Sequence, residues 1–173
     1  MRYIKNGTVG VDPFVYVADG EPVPADAPAI VSADWLLTAP KEQIQGRTAP
    51  LGVKWPNNKP DNELAAFLPH LALVALDFPV FRDGRAFSQA RLLRERYNFK
   101  GEVRATGDVL RDQFLFMLRS GFDAFEVRKD ADADAFGQAL REFTLRYQPA
   151  ADGPLHSFRT RLATPLKEKD GNA

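Results

Sequence analysis

The chain has no cysteine, two histidines, two methionines and no net charge, with 23 basic and 23 acidic residues among 173. Without a thiol there is no disulfide, no thiolate metal site and no thiol redox centre. Two histidines, His70 and His156, stand far apart and outside any HExxH pattern, so a histidine-based metal site has no sequence support. Zero net charge argues against nucleic acid as the partner. The longest apolar run, residues 71–76, has six residues, far short of the roughly 18–20 that span a membrane. The first seven residues carry no apolar segment of the secretory kind, and a cytoplasmic protein is the expectation. Neither GxGxxG, GxxxxGK[ST] nor GxSxG occurs, so no cofactor or metal is identified from motifs.

What is present suits one globular unit. The chain is 45% apolar and long enough for a single core. Three zones are expected: an N-terminal β segment with a Pro-rich connector over 1–28, an α/β domain over 29–148, and a C-terminal extension over 149–173, partly mobile. In the middle zone short β-branched runs alternate with helical periods. Residues 51–55, 71–78, 101–106 and 123–128 read as strands, and 33–37, 60–68, 88–97, 109–120 and 132–143 as helices. Ser32 is placed to cap the first helix, Asp108 to cap the helix at 109–120, and Gly121 to stop it. This alternation predicts an α/β fold with a mainly parallel sheet of about four core strands, flanking helices and short N-terminal strands. A half-barrel that pairs with a second copy is the alternative.

Parallel α/β sheets bind ligands beyond the carboxyl ends of their strands. The loop at 79–88 holds Arg82 and Arg85 around an Asp83-Gly84 turn, followed by a helix start near Ser88. Two guanidinium groups beside a helix start suit an anion. The plainer reading pairs them with Asp83 and Glu95 on a solvated surface. Arg91, Arg94, Gly107 and Arg111 extend the same stretch. Residues 82–119 hold nine cations against five carboxylates, enough to steer an acidic partner or to make an ion-paired helix face. Asp77 and Asp108, at two strand ends, are the carboxylates placed for acid or base work. Each also has a structural role open to it, bonding loop amides or capping a helix. Phe114 and Met117 belong to a run of five apolar residues, which fits either core burial or a seam between copies of the chain.

The runs LDFPVFRDGRAFSQARLLRER (76–96), GEVRATGDVLRDQ (101–113) and SGFDAFE (120–126) resemble a bacterial family of unknown function, domain-of-unknown-function 934. The resemblance covers roughly 51–148. It implies a part in assimilatory sulfite reduction, because genes of that family sit beside those of sulfite reductase and of the adenylylsulfate-type reductase. The family's oxidoreductase label comes with no established catalytic residue. Relatives often carry Cys where this chain has Ser120. The partners the resemblance implies are sulfite reductase or a ferredoxin-like electron donor. An accessory protein docking one of these through the Arg-rich face is the first expectation. An enzyme with a sulfite, sulfate or phosphate-cofactor site at the strand ends is the second.

Overall fold

The structure, a computed structural model, describes residues 2–80 and 82–127. The expected helix at 132–143 and the C-terminal extension lie outside the described residues. Eight strands form one sheet: β1 (Arg2–Lys5), β2 (Thr8–Gly10), β3 (Val15–Tyr16), β4 (Ala29–Ser32), β5 (Leu51–Trp55), β6 (Leu73–Phe78), β7 (Glu102–Gly107) and β8 (Ala124–Val127). Five helices accompany them: α1 (Ala33–Thr38), α2 (Lys41–Gln45), α3 (Asp61–Ala65), α4 (Arg85–Glu95) and α5 (Phe114–Ser120).

The sheet order is β2-β1-β8-β7-β6-β5-β4-β3. From β3 to β8 every neighbour is parallel, whereas β1 pairs antiparallel with β8 and with β2. This corrects the expectation of about four parallel core strands: the sheet is mixed and twice as wide. The strands not expected are β4 and β1, and β1 leads into β2 through Asn6 and Gly7. Both have positive φ (49° and 79°), as a type I′ hairpin turn requires.

Parallel strands follow one another in chain order, so successive right-handed crossovers all turn the same way. This is the winding of a half-barrel, with helices on one face. Side-chain alternation agrees with it. Val31, Val53, Val74 and Val103 point to the helical side, where they join Leu36, Ala86, Ala90, Leu93, Phe114 and Met117 in the main core. A second outward row runs Ile4, Phe125, Ala105, Leu76 and Trp55 across paired positions. The inner face holds only a small apolar group, Ile30, Leu73 and Ala75 with Phe14 laid against it. Asp12 and Phe14 lie over this face, Asp12 on Arg104 and Phe14 on the apolar group, before β3 pairs with β4 at the sheet edge.

Helix boundaries follow local chemistry. Ser32 caps α1 as expected, accepting from the Trp35 N–H at 3.1 Å. Gly121, at φ 109°, ends α5. α4 starts three residues earlier than its periodicity predicts, because the Asp83 carboxylate accepts from the Arg85 N–H and Gly84 takes the cap position. The helix expected over 109–120 is shorter. A 3-10 turn at Arg111–Gln113 precedes α5, with Leu110 at its cap position. Leu110 rather than Asp108 therefore holds the cap position, and the Asp108 N–H bonds the Phe78 carbonyl at 2.8 Å.

Candidate functional site

The inner face carries charge in register. Lys5, Ala124, Arg104, Ala75, Lys54 and Ser32 occupy paired positions along one row across the sheet. At one side of this row Arg104 is fully buried. Its guanidinium donates to Glu102 at 2.8 Å, to Glu126 at 2.9 Å and to both oxygens of Asp12 at 2.6 and 2.9 Å. It also sits 4.6 Å from the Tyr3 ring centroid. Tyr3 and Tyr16 close the cluster by donating to Glu102 and Glu126 at 2.7 and 2.6 Å. Burial raises both phenols above their ordinary range, and the carboxylates they bond push in the same direction. Burial works against the Arg104 cation, yet its carboxylate partners more than offset this and the guanidinium stays charged. This cluster pins the N-terminal segment across the half-barrel.

Two strands further along the row, the inner face opens into a cavity of about 330 Å³. It lies at the carboxyl ends of β4, β5 and β6, where parallel sheets take ligands. Lys54 from β5 reaches Asp77 from β6 at 3.2 Å, and Thr106 from β7 donates to the same Asp77 oxygen at 3.3 Å. At the mouth Lys59 pairs with Asp34 at 3.0 Å. The Ser32 hydroxyl donates to Asp19. Tyr16 lines the cavity and bonds Glu126, so it joins the pocket to the Arg104 cluster.

The residues singled out from sequence fall into three groups. Asp77 is in the pocket. Asp83 and Gly84 precede α4, Arg85, Ser88 and Arg91 lie in its first turns, and none of them lines the pocket. Arg85 clasps Asp83, which holds that carboxyl well below its usual range, and Arg91 pairs with Glu95 at 2.9 Å. Arg82 is exposed on the loop before α4, and Arg111 on the 3-10 turn before α5. Arg94 turns inward, donating to the carbonyls of Gly121, Phe99 and Gly101 and to Asp123, so it ties α4 to the loops rather than presenting a charge. Gly107 is required by backbone: its φ is +90°, and a Cβ there would run into the Phe78 carbonyl. Asp108 is not among the residues lining the pocket. Phe114 and Met117 are fully buried within the chain itself, and their neighbour Phe116, 58% exposed, faces outward.

Lys54, Lys59, Asp19 and Asp34 were not anticipated, nor was the Arg104 cluster. For the Arg104 cluster a signal was present. β7 reads Glu-Val-Arg-Ala-Thr and β8 reads Ala-Phe-Glu-Val, alternating charged and apolar residues. A parallel sheet covered by helices on both faces does not alternate in this way.

Among the described residues no group of three or more His, Cys, Asp or Glu is arranged to hold a metal ion, and no helix is long and apolar enough to cross a membrane. Residues 52–158 match the family model described as a bacterial protein of unknown function (DUF934). No curated protein matches the chain.

Proposed function

We propose, from the premise that this chain belongs to the bacterial DUF934 family, that it is a small-ligand-binding protein of assimilatory sulfite reduction, working through the Lys54–Asp77 pocket. The observation that carries this reading is the meeting of Lys54 and Asp77, from adjacent strands, inside a cavity at the carboxyl rim of the half-barrel. Lys54 and Lys59 offer cations to an acidic group on the ligand. Asp77, already accepting from Lys54 and Thr106, is placed to exchange a proton with it. The process itself rests on the family resemblance, and the proposal takes it to be a cytoplasmic step on the route toward cysteine biosynthesis.

The test is calorimetry and thermal unfolding of the full chain with sulfite, sulfate, phosphate, flavins and nicotinamide nucleotides. An acidic ligand should raise Tm, and Lys54→Met should abolish the rise. A ligand whose effect survives Lys54→Met but not Arg85→Ala would move the site to α4 and overturn the reading.

A second reading has the protein dock sulfite reductase or an acidic electron-donor protein through its arginines. It is favoured by the exposure of Arg82, Arg85, Arg91 and Arg96 on α4 and its adjoining loops, and of Arg111 on the 3-10 turn before α5. Co-purification at low salt tests it: retention of sulfite reductase that Arg85→Ala/Arg91→Ala eliminates supports docking, and failure to retain it rejects docking.

A further inference from the structure

We infer, building on the pocket reading above, that the ligand is a zwitterion, a free α-amino acid, rather than a simple anion. The pocket's charges do not balance in favour of an anion. Three carboxylates, Asp19, Asp34 and Asp77, line it against two lysines, Lys54 and Lys59. Each lysine already has a carboxylate partner, Lys54 with Asp77 and Lys59 with Asp34. Among the described residues Asp19 accepts from the neutral Ser32 hydroxyl and forms no ion pair with a cation. Among the described residues the lining thus carries one negative charge in excess, beside two cations.

A bare sulfite or phosphate entering this cavity meets the lysines but also three carboxylates, and like charges at such range are unfavourable. A bare amine finds Asp19 but leaves the lysines unused. A molecule with both charges satisfies both. Its ammonium offsets Asp19, and its acidic group lies between Lys54 and Lys59. Beside Tyr16 and Ser32 the rest of the lining is apolar, including Val17, Ile30 and Pro56, and accepts a small side chain. A volume of about 330 Å³ is at the small end of ligand pockets, as suits one amino acid.

The experiment screens the full chain against the twenty standard amino acids by thermal unfolding and calorimetry. The best binder is then compared with its decarboxylated amine and its deaminated acid; for serine these are ethanolamine and 3-hydroxypropionate. Inorganic sulfite and phosphate are run alongside. At least one amino acid should raise Tm by about 2 °C or more at saturating concentration, with neither half-molecule doing so. Asp19→Asn and Lys59→Gln, both at the pocket mouth, should each weaken binding about tenfold, the scale of one lost ion contact. Equal binding of sulfite, phosphate or the deaminated acid overturns the zwitterion while leaving the anion-binding pocket standing. Equal binding of the amine alone, or no binding by any compound, overturns both.

Discussion

Replacing Arg104 by Met should be among the most damaging single changes to this protein, and the reason can be worked from its contacts. Arg104 is fully buried and makes four hydrogen bonds to three carboxylates. Glu102 and Glu126 are nearly as buried, with side chains 4% and 9% exposed, whereas Asp12 retains 25% and is partly screened by water. Methionine fills much of the arginine's volume but leaves buried Glu126 without a cation and buried Glu102 with Lys5 alone. Removing one partner of a buried ion pair costs about 3–5 kcal/mol. For a chain of this size each kcal/mol corresponds to roughly 2–4 °C, so Tm should fall by roughly 6–20 °C. Urea and thermal unfolding, followed by the fluorescence of the buried Trp55, measure this. The deficit should be larger at pH 8 than at pH 5, because protonating a buried carboxylate relieves charge that Arg104 no longer offsets. A loss under about 1 kcal/mol, or an equal loss at both pH values, would refute the view that Arg104 anchors the N-terminal segment to the sheet.

Three further outcomes follow from the same contacts. Arg94→Ala should cost about 2–4 kcal/mol by orphaning three carbonyls and Asp123, while Arg91→Ala, an exposed i,i+4 partner of Glu95, should cost under about 0.5 kcal/mol; paired denaturation curves compare them. Gly107→Ala should destabilise by more than about 2 kcal/mol, since it adds a clash with the Phe78 carbonyl to the left-handed strain; Gly20→Ala, with similar φ but open space around it, should cost only the strain of about 1–2 kcal/mol. The Asp83 carboxyl is depressed in the fold by Arg85, so its contribution is present above the unfolded pKa of about 4 and is lost as pH falls through its lower folded value; Asp83→Asn should therefore lower stability at pH 7 and converge with the parent in strong acid, as urea titrations across pH would show.

Local chemistry made part of this structure readable. β5 matches the expected strand residue for residue, and β6, β7 and β8 lie within two residues of theirs. Ser32 and Gly121 act at the positions their side chains predict. What escaped the reading depended on distance in the chain. Arg104 finds Asp12 across 92 positions and Tyr16 finds Glu126 across 110, and neither pairing leaves a local pattern. Asp77 was placed at a strand end by sequence, but its partner Lys54 was hidden in a strand that reads as apolar. Arg94 could not be told from Arg91, because equal side chains three apart on one helix differ only in what the fold brings near them. The Asn6-Gly7 turn was legible and was passed over, which cost the expectation its first strand.

The central claim is that the protein acts through the Lys54–Asp77 pocket in sulfite reduction, and growth complementation tests it most directly. A strain deleted for the gene is supplied with the parent chain, Asp77→Asn, or Arg85→Ala/Arg91→Ala, and grown on sulfate, sulfite, sulfide or cysteine. The account predicts that the deletion strain grows on sulfide and cysteine but not on sulfate or sulfite. The parent and the double arginine variant should restore growth on sulfite, and Asp77→Asn, folded by its circular dichroism, should not. Full rescue by Asp77→Asn, or growth of the deletion strain on sulfite, would contradict it.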